Sequence, residues 1–102
     1  MKLITAEFAE IMKDYPLGSQ NNAKDPFVVA KFFNPCGSQT WYVVEYDPEQ
    51  KLIFCYVTGM IQDEWGYTSL EELESVKLPI PGLTIERDLY FEQGPFSGYI
   101  NA

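Results

Sequence analysis

Residues 40–58, TWYVVEYDPEQKLIFCYVT, decide the fold because they read as two strands joined by a tight turn. Residues 40–46 and 52–58 are rich in β-branched and aromatic side chains, the residue types that favour strands. Between them, Asp47 and Pro48 occupy the first and second positions of a type I turn, where these residues are preferred. The stretch therefore predicts an antiparallel hairpin.

The turn also predicts a register for this hairpin, with Tyr46 opposite Lys51. The cross-strand pairs on one face are then Trp41–Tyr56, Val43–Phe54 and Glu45–Leu52. Both faces come out largely apolar, which a sheet with one solvated face does not require. We therefore expect either helices on both faces or an aromatic surface left exposed on one of them.

The sequence on either side adds further elements. Apolar residues recur at helical spacing through residues 5–14, and Thr5 is a candidate N-cap. Residues 27–33 and 84–92 read as strands, and residues 64–67 as a short extended segment. The order α-β-β-β-(β)-α-β predicts an α+β fold, an antiparallel sheet of about four to five strands with two short helices.

Residues 64–76, EWGYTSLEELESV, contain the second helix. Thr68 or Ser69 can cap it, since a glutamate follows three positions later in either register. Its buried side is predicted to be Leu70, Leu73 and Val76. The acidic residues on and before this helix are candidates for binding a partner, and they are Asp63, Glu64, Glu71 and Glu72.

Aromatic side chains are the other candidates for a partner-binding surface. In so small a domain aromatic residues are commonly core, but two short helices cannot easily cover both sheet faces. The candidates are Trp41, Phe54, Tyr56, Trp65 and Tyr67. An aromatic sheet can also stack single-stranded bases, but that function requires a basic rim, for which this sequence supplies few residues.

The composition fits a single folded domain over residues 1–102, with 46% hydrophobic residues. Fifteen acidic residues against seven basic ones give a net charge of −8, which disfavours direct nucleic-acid binding. The same charge favours a protein partner with a basic surface, such as a nucleic-acid-binding protein. Plain solubility is the alternative explanation.

Catalytic motifs are hard to find, because the chain has no histidine and no phosphate-cradling glycine loop. These absences favour a protein that is not an enzyme, and we expect no cofactor. A carboxylate-only magnesium site, serving a nuclease, stays open as an alternative. Its candidate ligands are Glu45, Glu64, Glu86 and Asp88.

The compartment is predicted to be the cytoplasm, since neither a signal-peptide core nor an apolar run of about 18 residues occurs. We expect no membrane association. Cys36 and Cys55 lack metal-like spacing and are expected to be free thiols. The sequence does not choose between a monomer and a homodimer, and a homodimeric structural module is a further alternative.

Residues 24–92 resemble the bacterial family called domain of unknown function 2958. The resemblance lies in the succession DPFVVAKFFNP, TWYVVEYDPEQKLIFCYVTG, EWGYTSLEELESV and LTIERDLYFE. It implies a gene carried on a plasmid, phage or conjugative element, and some members carry a single-stranded DNA endonuclease label. Since mobile elements encode small acidic inhibitors of defence nucleases, we expect an anti-CRISPR or anti-restriction inhibitor whose carboxylates stand in for phosphates.

Overall fold

The computed structural model describes residues 2–100, so Met1, Asn101 and Ala102 of the predicted domain lie outside the description. The elements in chain order are α1 (Ala6–Met12), β1 (Phe27–Val28), β2 (Ala30–Phe33), β3 (Thr40–Asp47), β4 (Leu52–Thr58), β5 (Glu64–Ser69), α2 (Leu70–Ser75), β6 (Glu86–Arg87), β7 (Gly94–Pro95) and a 3₁₀ helix (Phe96–Gly98). The predicted α+β class is confirmed. An antiparallel five-stranded sheet has the order β5-β4-β3-β2-β6, and β1 pairs with β7 in a smaller sheet.

The central hairpin forms as predicted, but its register differs. Asp47 Oδ1 accepts a hydrogen bond from Glu49 N–H at 3.0 Å inside the turn. Lys51 belongs to the turn with a left-handed φ of 52°, so Asp47, not Glu45, pairs with Leu52. A β-bulge between Val43 and Glu45 then shifts the register again. The observed pairs further along are Trp41–Val57, Tyr42–Tyr56 and Val43–Cys55.

Two predicted strands are divided or shortened. Residues 27–33 split into β1 and β2, because Val29 leaves the strand and its N–H donates to Val43 O at 2.8 Å. Residues 84–92 were predicted as one strand, but only Glu86–Arg87 pairs with β2. A turn follows, in which Asp88 Oδ1 accepts from Tyr90 N–H at 2.9 Å. That local bond ends the strand.

Both helices lie on one face of the five-stranded sheet, where they close the core. The Thr5 cap is confirmed, since its Oγ1 accepts from Phe8 N–H at 3.2 Å. The buried core includes Leu3, Met12, Phe32, Trp41, Val43, Ile53, Cys55, Leu70, Leu73 and Ile85. Val76 was predicted to join them, but it is 38% exposed because it is the extended residue that ends α2.

The opposite face of the sheet is covered by irregular chain instead of helix. Glu45, only 1% exposed, accepts hydrogen bonds from Gly18 N–H and Gln20 N–H, each at 2.7 Å. From the other end of the chain, Ser97 is held to Asp25 by its N–H and its hydroxyl. Part of this face remains open beside β5. No segment of residues 2–100 forms a helix with the length and apolar character of a membrane span.

Candidate functional site

Strand β5 forms one edge of the five-stranded sheet and is the centre of the candidate site. The sequence predicted an extended segment over residues 64–67, and pairing with β4 along its whole length extends it to Ser69. Alternation along the strand sends Trp65 and Tyr67 to the face away from the helices, and Glu64 to the helix-covered face. Two different surfaces therefore meet at this edge.

The first surface is a groove of about 660 Å³ on the helix-covered side. Trp41, Val57 and Gly66 share this sheet face and form its floor. Met60 and Ile61, both exposed, rise on one side, and the end of α2 rises on the other. A Cβ built on Gly66 would meet no atom within 4 Å, so the floor is open at that point. The groove is therefore apolar at its base and accessible to a partner.

Two of the four predicted acidic residues line this groove, and the other two lie beside it. Glu64 on β5 and Glu72 on α2 are exposed lining residues. Asp63 Oδ1 accepts from Gly59 N–H at 3.3 Å, and Glu71 Oε1 lies 3.3 Å from the Nζ of the exposed Lys51. Because exposed ion pairs contribute little, Glu71 keeps its ability to meet another cation. The groove therefore has an apolar base and an acidic rim.

The second surface is an aromatic cluster on the opposite face. The Trp65 indole stacks on the Phe54 ring with centroids 5.4 Å apart, and it meets Tyr56 edge-on at 5.2 Å. Tyr67 packs against Phe54 at 4.9 Å and is 62% exposed. Four of the five predicted aromatic residues therefore share one surface. Aromatic side chains have only two rotatable side-chain bonds, so fixing these rings in a complex costs little conformational entropy.

Trp41, the remaining aromatic candidate, does not belong to that surface. It is 5% exposed and lies in the core, because the observed register pairs it with Val57 instead of Tyr56. The turn at Lys51 and the β-bulge reverse the face predicted for it relative to Phe54 and Tyr56. Its indole reaches the base of the acidic groove instead.

A second cavity, of about 420 Å³, lies between residues 20–26 and the aromatic cluster. Phe54, Trp65 and Phe96 line it on one side, and Lys24 is the charged side chain at its opposite wall. The Glu45 carboxylate also reaches this cavity, but its oxygens already accept main-chain hydrogen bonds. Trp65 thus borders both cavities.

The four candidate metal ligands do not come together. Glu45 is buried in β3, Glu64 lies on edge strand β5, and Glu86 lies on β6 at the other edge of the same sheet. Asp88 follows β6, where its Oδ2 is 3.9 Å from Lys31 Nζ. Across residues 2–100 no three Asp, Glu or Cys side chains are grouped as a metal site would need. Cys36 and Cys55 are free thiols, as predicted.

Several residues of the site were missed by the sequence analysis. Phe96 packs on both Tyr56, at 5.0 Å, and Trp65, at 4.9 Å, although its segment reads as loop. Met60 and Ile61 follow the turn at Gly59, and an apolar pair inside a short connection is the signal that could have identified them. Gly66 offered no signal beyond interrupting an aromatic strand.

Comparison with family models identifies the chain's relatives. The model described as Protein of unknown function (DUF2958) matches residues 3–102, essentially the whole chain. The chain belongs to the DUF2958 family. The matched region of this DUF2958 protein includes every helix and strand described above, together with the β5 groove. Comparisons with curated proteins and with solved structures found no match.

Proposed function

We propose that this DUF2958 protein is a non-enzymatic binding protein of a mobile genetic element that acts in the cytoplasm on a basic, nucleic-acid-binding protein. The first partner class to test is a host defence nuclease of a CRISPR or restriction system. The proposal rests on one observation, the apolar groove beside β5 whose rim carries Glu64 and Glu72. The net charge of −8 gives the whole molecule the same sign.

Electrostatics explain how such a surface would inhibit a nuclease. A groove that binds DNA carries Lys and Arg side chains to neutralise phosphates. Carboxylates presented on a folded surface compete for the same cations, and the overall negative charge speeds the encounter. Since the acidic rim is solvent-exposed, binding should weaken as salt increases.

The apolar part of the site supplies what charge alone cannot. Exposed ion pairs contribute about 0–1 kcal/mol each, so acidic residues by themselves give weak and unselective binding. Met60 and Ile61 project from the loop at the groove, and Ile61 is fully exposed. Fully burying an exposed side chain such as Ile61 contributes up to about 1.5–3 kcal/mol, and burying the half-exposed Met60 contributes less. The combination favours a specific protein partner over a general role in solubility.

The test measures DNA cleavage by a panel of purified CRISPR and restriction nucleases with and without an excess of this protein. We expect inhibition of at least one nuclease, weaker at higher salt. The Glu64→Lys/Glu72→Lys variant should lose the inhibition. The control, Glu7→Lys/Asp14→Lys, makes the same change of net charge on exposed residues of and after α1, outside the groove, and should keep it. Inhibition of no nuclease, or equal loss in both variants, would contradict the proposal.

A further inference from the structure

Strand β5 has one edge that pairs with β4 and one that pairs with no strand within the described residues. Leu70 N–H donates to Lys51 O at 2.9 Å, which makes Leu70 and Lys51 a hydrogen-bonded pair of the β4–β5 ladder. Such pairs recur at every second residue of an antiparallel ladder. The main-chain N–H and C=O groups of Trp65 and Tyr67 therefore point away from β4, towards the open edge.

This edge differs from the other edge of the sheet. β6 consists of Glu86–Arg87 alone, and edge strands that short are a common protection against pairing with another chain. β5 spans Glu64–Ser69, with neither proline nor lysine in it. Glu64, at the start of the strand, is its one charged residue, so the outward N–H and C=O groups of Trp65 and Tyr67 remain a template for a further strand.

We infer that the basic partner docks by adding an extended, mainly basic segment with a central apolar residue as a further strand along β5. This inference rests on the proposed function, because it takes from it the sign of the partner's charge. Strand addition supplies main-chain hydrogen bonds for affinity, and alternate side chains of the added strand enter the surfaces on each face for specificity.

The two faces of β5 define the residue types of that segment. On the helix-covered face, an apolar side chain beside Gly66 enters the open floor of the groove over Val57. A Lys or Arg further along the same face reaches Glu64 or Glu72. On the other face, Arg or Lys side chains lie against the exposed rings of Trp65 and Tyr67, where cation–π attraction favours them.

Charge also argues against a second copy of this chain as the strand that pairs with β5. Pairing two β5 strands would bring a second set of acidic side chains to a rim that already carries Glu64 and Glu72. Like charges placed together oppose association. A basic segment has the opposite effect, so the charge of the groove favours a different chain.

The experiment uses the whole protein and two synthetic peptides of the same sequence, a central Val with three Arg residues on each side, one of them N-methylated at every second residue. The N-methyl groups remove the N–H groups that would bond to β5 and leave the peptide's charge unchanged. Binding is measured by fluorescence anisotropy, and amide hydrogen exchange is followed residue by residue. We expect the unmodified peptide to slow exchange at Trp65 and Tyr67 by about tenfold or more, and the N-methylated peptide to bind at least about tenfold more weakly.

Two variants complete the design. Gly66→Leu fills the groove floor from within and should weaken peptide binding, whereas Gly98→Leu, which also has open space around its Cβ, should not. Equal binding of the two peptides, unchanged exchange at Trp65 and Tyr67, or protection of these amides by self-association without peptide would each overturn strand addition. Light scattering identifies the last outcome.

These results are separable from the fate of the proposed function. If the peptide adds to β5 and no nuclease is inhibited, strand addition holds and the nuclease proposal fails. If a nuclease is inhibited while Trp65 and Tyr67 exchange as in the free protein, the proposed function holds and strand addition is wrong.

Discussion

The Glu45 carboxylate accepts a hydrogen bond from Gln20 N–H at 2.7 Å, joining the middle of the central strand to the irregular chain that covers it. Glu45 is 1% exposed, and it lies at the β-bulge. Gln20 in turn donates from its side-chain amide to Val44 O at 2.8 Å. A buried carboxylate held this way keeps one covering segment in place over the sheet.

Replacing Glu45 is therefore expected to destabilise the fold although it leaves every apolar contact of the core in place. Glu45→Gln loses one acceptor oxygen, so the N–H of Gly18 or Gln20 loses its partner, and the free energy of unfolding should fall by about 1–3 kcal/mol. Urea denaturation measures this change. Glu49→Gln, in the exposed turn, is the control and should stay within about 0.5 kcal/mol of the parent. Equal stability of the two variants would contradict the assigned role.

Two glycines with similar backbone conformations allow a close approach to be separated from backbone strain. Gly59 has φ +83° and Gly82 has φ +87°. A Cβ on Gly59 would lie 2.0 Å from Ser38 O, whereas a Cβ on Gly82 would meet nothing within 4 Å. We expect Gly82→Ala to cost about 1–2 kcal/mol of stability, from the left-handed conformation alone.

Gly59→Ala should cost more than about 3 kcal/mol, because the backbone must move away from Ser38. The same movement should break the hydrogen bond that the Ser38 hydroxyl donates to Gly59 O, whose Oγ–O distance is 2.9 Å. Thermal unfolding of the two variants tests the difference. Similar melting temperatures would mean that the contact at Gly59 yields at little cost.

The buried thiol predicts an alkaline limit to stability. Burial raises the pKa of Cys55 to about 11, while a hydrogen bond with Thr68 opposes part of the rise. A thiol titrates near pH 9 when exposed, so its contribution is complete below about pH 9 and is lost as the pH rises towards about 11. We expect this loss to reach about 2–3 kcal/mol.

The check compares the parent with Cys55→Ala by urea denaturation across that pH window. Burial also raises the pKa values of Tyr42 and Tyr46, but both proteins share that effect. The parent should therefore lose more stability with pH than the variant. In the folded protein at pH 8, a thiol reagent should modify the half-buried Cys36 before Cys55. Parallel pH profiles would show that Cys55 does not carry the effect.

The orientation of the β5 main chain predicts an alternating pattern of hydrogen exchange in the protein alone. Gly66 and Thr68 are in the hydrogen-bonded pairs with β4, and Trp65 and Tyr67 are not. We expect the amides of Trp65 and Tyr67 to exchange at least about tenfold faster than those of Gly66 and Thr68. Uniform protection along β5 would mean that its outer edge is already paired.

The sequence predicted what depends on local residue preferences and missed what depends on distant contacts. The turn at Asp47 and the helix cap at Ser69 follow from side chains bonding to nearby main chain, and both formed. The predicted hairpin register was wrong because the left-handed Lys51 and one β-bulge shift the pairing. Neither feature has a strong sequence signal.

The same distinction between local and distant contacts applies to the residues of the candidate site. The acidic residues before and within α2 could be proposed from the sequence because charge at an exposed helix start is visible there. Other parts of the site depend on segments far apart in the chain. Val28 pairs with Gly94, and the 3₁₀ helix that comes next places Phe96 against the sheet. A short stretch with glycine and proline carries no pattern that could reveal its strand partner.

The bond from Arg87 Nε to Leu3 O, 3.0 Å long, has a consequence for how the chain reaches its folded state during synthesis. These residues are 84 positions apart, so the segment that carries Leu3 must wait for most of the chain to be made before it can dock. The β3–β4 hairpin can form much earlier from neighbouring residues. We therefore expect the segment around Leu3 to stay exposed to chaperones until Arg87 has been made, and to dock onto a hairpin that has already formed.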